Sequence, residues 1–102
     1  MTVAIPTVIV GTSWRGDGAK SAVALMRPGD EVLLEREPNN PHDPQAIGCH
    51  YLGRHVGYIP RQANPLIAAA MDAGRNPVCT VLEGPVVHGP VIRKEPKITV
   101  SW

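Results

Sequence analysis

Apolar and β-branched residues along this chain come in short bursts that proline and glycine cut apart, and each burst predicts an element. Residues 7–13, rich in Thr, Val and Ile, predict a first strand. A loop with two glycines follows over 14–18, and the alanine-rich stretch 19–26 suits two helical turns. Arg27, Pro28, Gly29 and Asp30 form a turn with proline and glycine in favoured places. Residues 31–37 predict a second strand, ended by Pro38. Three prolines and two asparagines then fall within residues 38–44, a density of breakers that leaves a stiff loop and no regular element. Residues 45–51 and 54–59 flank Leu52-Gly53 as a hairpin that Pro60 stops. Over 61–73 the apolar residues Leu66, Ile67, Ala70 and Met71 make a helical stripe, with Gly74 as its C-cap. Residues 77–83 and 97–102 predict two more strands, and 84–96, with three prolines, is expected to be irregular. The pattern is mainly β: five or six strands with one or two helices.

Composition narrows this further. At 102 residues the chain suits one domain over 1–102, with its core at about 7–83 and a C-terminal strand at about 97–102. Eleven prolines and ten glycines favour short strands over a helical bundle. With no Phe and 4% aromatics the core must be aliphatic, so Trp14, Tyr51, Tyr58 and Trp102 each call for a specific role. The longest apolar run, 66–71, falls far short of the ~18–20 residues of a membrane span. The N-terminus lacks the basic and long apolar regions of a secretory signal, so a cytoplasmic protein is expected. Cys49 and Cys79 lie in strand-like apolar runs and read as reduced, buried thiols.

The net charge of +1 excludes bulk attraction to a polyanion, yet its distribution is uneven. Residues 1–43 carry four basic and six acidic side chains, giving −2, and residues 44–102 carry six basic and three acidic, giving +3. Arg54, Arg61, Arg75, Arg93, Lys94 and Lys97 either share one face or spread over a mixed, solvated surface.

Catalytic signatures are missing. There is no nucleophile elbow, zinc-protease helix or phosphate-binding loop, and Ser13, Ser21 and Ser101 have no base beside them in sequence. Asp30-Glu31 and the Glu35/Glu37 pair read as solvated acids. Cys49, His50, His55 and His42 are close in sequence, but Cys49 and His50 should point to opposite sides of a strand. No metal, cofactor or enzymatic activity is expected. The stiff loop is the most informative stretch. Its prolines lower the entropic cost of holding polar groups in place, and Asn39, Asn40, His42 and Asp43 offer directional hydrogen bonds. The same side chains are equally suited to satisfying their own backbone. Arg36, between Glu35 and Glu37, is a candidate for an ion pair as much as for a ligand.

The sequence Arg36-Glu37-Pro38-Asn39-Asn40-Pro41-His42-Asp43-Pro44-Gln45-Ala46-Ile47, followed by Gly53-Arg54-His55-Val56-Gly57-Tyr58-Ile59-Pro60-Arg61, closely resembles the HIRAN domain, a DNA-binding module that also occurs as a short standalone protein in bacteria. The resemblance runs from about Val8 to Val81, leaving nothing over for a helicase or RING partner. It implies a small OB-like β-barrel with flanking helices. It also implies single-stranded DNA as partner, captured by its 3′-hydroxyl end in the service of fork remodelling and repair alongside DNA-processing proteins. On the matching positions, Trp14 stacks on the terminal base, Asn39, Asn40 and Asp43 grip the end nucleotide with Asp43 at the 3′-hydroxyl, and Tyr58 and Arg61 meet phosphates. The chain departs from the family in three places. His42 stands where end-binding members have a second stacking tyrosine, Ser13 where they have an arginine, and Tyr58 where they have a histidine. These departures bear on the strictness of 3′-end preference rather than on the fold.

The residues themselves partly concur. Trp14 between glycines has no obvious packing shelf, although it could also plug the barrel mouth. Tyr58 alternates with Val56, a spacing that also suits a core-facing ring with its hydroxyl alone reaching the rim. Arg61, opening a helix, is placed for a phosphate beside free helical N–H groups. With two or three phosphates neutralised, binding should be weak, roughly micromolar, with a log–log salt slope of about −1.5 to −2. The alternative is a peptide-binding domain using the same pocket, with Trp14 as its anchor.

Overall fold

A computed structural model describes residues 2–102. Eight strands are present among them: β1 (Ala4–Val8), β2 (Glu31–Arg36), β3 (Ile47–Tyr51), β4 (Arg54–Tyr58), β5 (Val78–Glu83), β6 (Val86–His88), β7 (Val91–Lys94) and β8 (Lys97–Ser101). Two α-helices, α1 (Asp17–Ala24) and α2 (Asn64–Asp72), and a 3-10 turn, Thr12–Trp14, complete the set. No helix among the described residues is long and apolar enough to cross a membrane.

Six strands form one curled antiparallel sheet in the order β1-β8-β5-β2-β3-β4, and β6 and β7 pair separately. Alternation along β2 shows why the sheet curls around a core. Val32 is buried, whereas Glu31, Leu33 and Glu35 face outward. The inner face collects Val32, Ile47, Cys49, Val56, Cys79, Val81, Ile98 and Val100, an aliphatic core like the one the missing phenylalanines demand. Helix α1 packs its Ala19, Ala22 and Val23 inward against β4, and α2 adds Ile67 and Ala68.

The two ends of the sheet meet at one point. The Val10 N–H donates to the Tyr58 carbonyl at 3.0 Å and the Tyr58 N–H returns a bond to the Val10 carbonyl at 2.9 Å. Register explains how β4 reaches that seam. Cys49 faces Gly57 but His50 faces His55, so Val56 is the extra residue of a β-bulge that turns the end of the strand. Val56 and Gly57 are consequently both buried. A Cβ on Gly57 would overlap the Val10 carbonyl and lie 2.7 Å from Ile9 Cγ2.

Several boundaries differ from the sequence reading. The β-branched stretch 7–13 is not one strand: pairing with β8 begins at Ala4, and the chain then breaks at Gly11, whose φ of 80° leads into the 3-10 turn. Pro6 is accommodated inside β1 because that strand ends the sheet order. Residues 84–96 are a hairpin, β6–β7, rather than irregular. Pro85, Pro90 and Pro96 sit before, between and after its strands, so they bound the hairpin without interrupting it. Helix α1 starts at Asp17, two residues before the expected alanine run.

Helix α2 starts at Asn64, so Arg61 lies in the preceding turn. Its end is as expected. Gly74, with φ of 85°, donates to the Met71 carbonyl and Arg75 to that of Ala70, the paired bonds of a Schellman cap. Arg36 pairs with neither adjacent glutamate. Its Nε and Nη2 bind the Asp72 carboxylate at 2.9 and 3.1 Å, tying β2 to the end of α2.

Cys49 and Cys79 are free and buried on either side of β2, opposite Leu34 and Val32 respectively. Burial pushes the Cys79 thiol up to about 12 and raises Cys49 well above its ordinary value. Neither thiol should react with a disulfide reagent at pH 8 while the protein is folded, and both should label on denaturation. Rapid labelling of either in the native state would contradict this packing.

Candidate functional site

The loop between β2 and β3 is held by its own polar side chains. At its base Glu37 N–H donates to the Ala46 carbonyl at 2.9 Å, and within it Asn40 N–H donates to Glu37 and Ala46 N–H to Asp43. Asn40 Oδ1 accepts from the backbone N–H groups of His42 (2.9 Å) and Asp43 (3.2 Å), while its Nδ2 donates to Glu37 Oε1 at 3.0 Å. Asp43 Oδ1 accepts from Gln45 N–H at 2.9 Å, and Oδ2 accepts from Asn64 Nδ2 at 2.9 Å. Asn40 and Asp43 thus satisfy their own turn, and the prolines between them make that arrangement cheap to hold.

The same fixed side chains wall a cavity of about 350 Å³, within the ~300–1,000 Å³ range of small-ligand pockets. Asn40, His42 and Asp43 come from the loop, Tyr58 from the end of β4, Arg61 from the turn before α2, and Val10 and Arg15 from the segment that follows β1. The floor is set by Tyr58, whose hydroxyl donates to Glu37 Oε1 at 3.0 Å. Glu37 therefore accepts from both Tyr58 and Asn40 and locks β4 to the loop; it is not the freely solvated acid of the sequence reading. Burial, then the bond to Glu37, raises the Tyr58 hydroxyl above its ordinary value, so it stays protonated and able to donate.

Asp43 is the charged centre. The Asn64 amide, then the Gln45 N–H, lower its carboxyl below the usual 3.8, with the charges of Arg61 and Arg36 contributing less. Asn64 is itself buried at the start of α2, so its donor cannot swing away. Arg61 donates from Nη2 to the His42 carbonyl at 2.8 Å, and its Nε lies 3.7 Å from Asp43 Oδ2. Of the six basic residues in the second part of the chain, Arg61 alone lines the cavity; Lys97 is spent on Glu83 across the sheet.

Not every expected residue reaches this cavity. Asn39 does not line it; Asn39 borders a separate, more open groove with Glu35, Pro41 and the neighbouring Asn40. Ser13 and Trp14 line a separate depression of about 130 Å³ with Gly11, Thr12, Ile92 and Glu95. Trp14 is 90% exposed, which excludes a plug over the barrel mouth. The structure also adds residues the sequence did not single out. Arg15 lines the cavity, Glu37 braces it, and Asn64 orients its acid. The only sequence signal for Asn64 was an Asn-Pro step, which reads as the start of a helix.

Outside the cavity, the rings of His50 and His55 stack at 4.8 Å across β3 and β4, with His55 edge-on to Tyr58. Burial, with Arg15 and His50 nearby, lowers the His55 pKa below its ordinary 6.5. Among the described residues no cluster of three or more His, Cys, Asp or Glu side chains is arranged for a metal ion.

The HIRAN domain family model matches residues 4–98. Helicase-like transcription factor of Mus musculus is 37% identical over 68 residues, 64% of this chain and 7% of that protein. The same protein of Oryctolagus cuniculus is 34% identical over 71 residues, 67% of this chain and again 7% of its own length. The chain therefore spans a small fraction of these curated relatives. Among solved structures, a protein from Lactobacillus plantarum superposes with a TM-score of 0.79 at 27% identity, covering 99% of this chain and 94% of that one. The HIRAN domain of human HLTF shares the fold at a TM-score of 0.71 and 20% identity, covering 98% and 77%. A match over nearly the whole barrel, loop and cavity included, makes this chain a member of the HIRAN domain family.

Proposed function

We propose that this domain binds nucleic acid without catalysing a reaction, and that its ligand is single-stranded DNA held by the 3′ end. The observation that carries the reading is Asp43, an ionised carboxylate fixed at the wall of a nucleotide-sized cavity by Asn64 and the Gln45 N–H. A carboxylate only accepts hydrogen bonds, so it suits a terminal 3′-hydroxyl, which donates, and repels a 3′-phosphate. Asn40, Tyr58 and Arg61 on the surrounding walls supply the remaining polar contacts, and Arg61 supplies positive charge. An exposed indole next door offers a stacking face of the kind that grips bases without reading sequence. Few cations face the cavity, so affinity should be roughly micromolar, with a salt slope of about −1.5 to −2.

Titration at low salt with oligonucleotides ending in 3′-hydroxyl or 3′-phosphate, followed by anisotropy, tests this directly. The 3′-phosphate should bind at least tenfold more weakly, the loss of one hydrogen bond to a charged group and its replacement by repulsion. Equal affinity for both ends, or undiminished binding to a circular single strand, would overturn the end reading. A domain that ignores every oligonucleotide leaves peptide capture around Trp14 as the better account.

A further inference from the structure

The stacked imidazoles of His50 and His55 stand on the outer face of the sheet, where Gly48 leaves a gap in β3. A Cβ on Gly48 would lie 2.7 Å from Glu37 Oε2, 3.2 Å from His55 Nε2 and 3.5 Å from His50 Nε2. Glu37 spends Oε1 on the Tyr58 hydroxyl and the Asn40 amide, so its other oxygen faces both rings across a bare glycine. We propose that His55 is an acid-sensitive latch on the Val10–Tyr58 seam. Neutral, it pins the bulge of β4; protonated, it draws Glu37 away from Tyr58 and Asn40 and slackens the loop. This does not depend on what the cavity holds.

His55 holds the end of β4 through three contacts. Its Nε2 lies 3.0 Å from the Gly57 carbonyl, which only accepts, and this assigns the proton of the neutral ring to that nitrogen. One face stacks on His50 and the ring meets Tyr58 edge-on, each at 4.8 Å between centroids. Tyr58 is the residue that bridges to Val10, so the imidazole sits directly behind the junction of the sheet ends. A second proton is unfavourable there. Burial, then Arg15 before α1 and His50 on β3, oppose the charged form more than the Gly57 carbonyl and Glu37 favour it, so His55 titrates below its ordinary 6.5. The other polar neighbours are engaged or turned away. Glu35 on β2 lies 3.7 Å from His50 Nε2, Arg54 lies over Gly18 of α1, and Tyr58 stays protonated. Once His55 is charged, Glu37 is the acid that faces it. The two oxygens of a carboxylate move together, so Oε2 closing on the imidazolium carries Oε1 off Tyr58 and Asn40, each now at 3.0 Å. Because the folded value lies below the unfolded one, the stability that neutral His55 contributes is complete above about 6.5 and is lost as pH falls through the folded value.

The test is NMR of the histidine rings and of the amides in the ligand-free protein between about pH 7.5 and 5, a range above the titration of Asp43. His55 should show the Nε2–H tautomer and a midpoint below 6.5. The backbone amides of Val10, Gly57 and Tyr58 and the side-chain amide of Asn40 should shift with that same midpoint. In Glu37→Gln the Asn40 response should vanish while Gly57 keeps its own, because no carboxylate is left to change partners. In His55→Gln, whose amide can still donate to the Gly57 carbonyl, all four responses should vanish. The fall in melting temperature that wild type shows on acidification should shrink in that variant. The proposal is overturned if His55 titrates at or above 6.5, if Asn40 and Tyr58 stay still while it titrates, or if Glu37→Gln leaves the Asn40 response intact. Should His55→Gln fail to fold, the spectra of wild type and Glu37→Gln decide the matter by themselves.

Discussion

Gly57→Ala should lower the melting temperature by on the order of 10–20 °C, the largest stability effect expected of any single added methyl group in this chain. Gly57 is buried at the end of β4, where a Cβ would meet the Val10 carbonyl and Ile9 Cγ2. Its φ of 156° adds backbone strain for a residue with a side chain. Neither neighbour can retreat, because Val10 is held by both backbone bonds to Tyr58 and Ile9 is wholly buried. Overpacking of this kind costs about 2–4 kcal/mol when backbone must shift. Thermal denaturation followed by circular dichroism checks it, and a change of only a degree or two would mean that the seam is far more pliable than its geometry implies. The substitution should also impair ligand binding, since Tyr58 on the cavity wall is the very next residue.

Asp43→Asn should weaken oligonucleotide binding roughly tenfold or more and also destabilise the loop. The wild-type carboxylate accepts on both oxygens, from Gln45 N–H and from Asn64 Nδ2. An amide has one oxygen to offer, so one of those donors would face an NH2 group. The change should carry a distinct pH signature. The folded carboxyl titrates below its ordinary 3.8, so its stabilising contribution is present above that value and lost as pH falls through the folded one. Wild type should therefore be more stable than Asp43→Asn by a constant margin near neutrality, and the margin should shrink as pH drops below about 4. Denaturant titrations across that range measure it. A margin that persists unchanged into strong acid would show that charge at Asp43 is irrelevant to the fold.

Much of this architecture was legible before the structure, for identifiable physical reasons. Strands β2, β5 and β8 and the β3–β4 hairpin have alternating or β-branched residues closed by proline or glycine, and local chemistry decides them. The end of α2 was legible because a Schellman cap needs a residue at positive φ, and Gly74 supplies it. The first strand was misplaced because its β-branched run crosses Gly11, and only pairing with β8 determines which part is strand. The hairpin at 86–94 was missed because prolines at an element's ends look, in sequence, like prolines that break it.

The cavity divides along the same line. Asn40, His42 and Asp43 share a loop that its breakers mark out, whereas Tyr58 and Arg61 were joined to it only by the resemblance to the HIRAN domain. Arg15, Glu37 and Asn64 join through contacts across the barrel that no local pattern encodes. Trp14 shows the converse: the sequence left it between an exposed face and a plug, and the hollow it borders takes Ile92 and Glu95 from the distant β6–β7 region.

The seam between Val10 and Tyr58 gives the ligand a mechanical role as well. One pair of backbone bonds joins the ends of the curled sheet there, and the cavity straddles it, with Arg15 on one bank and the stiff loop on the other. A molecule gripping both banks would act as a clasp across a junction that the backbone closes with a single bridge. Opening the barrel and releasing the ligand then become two descriptions of a single event, and each occupant lengthens the lifetime of the shell that holds it.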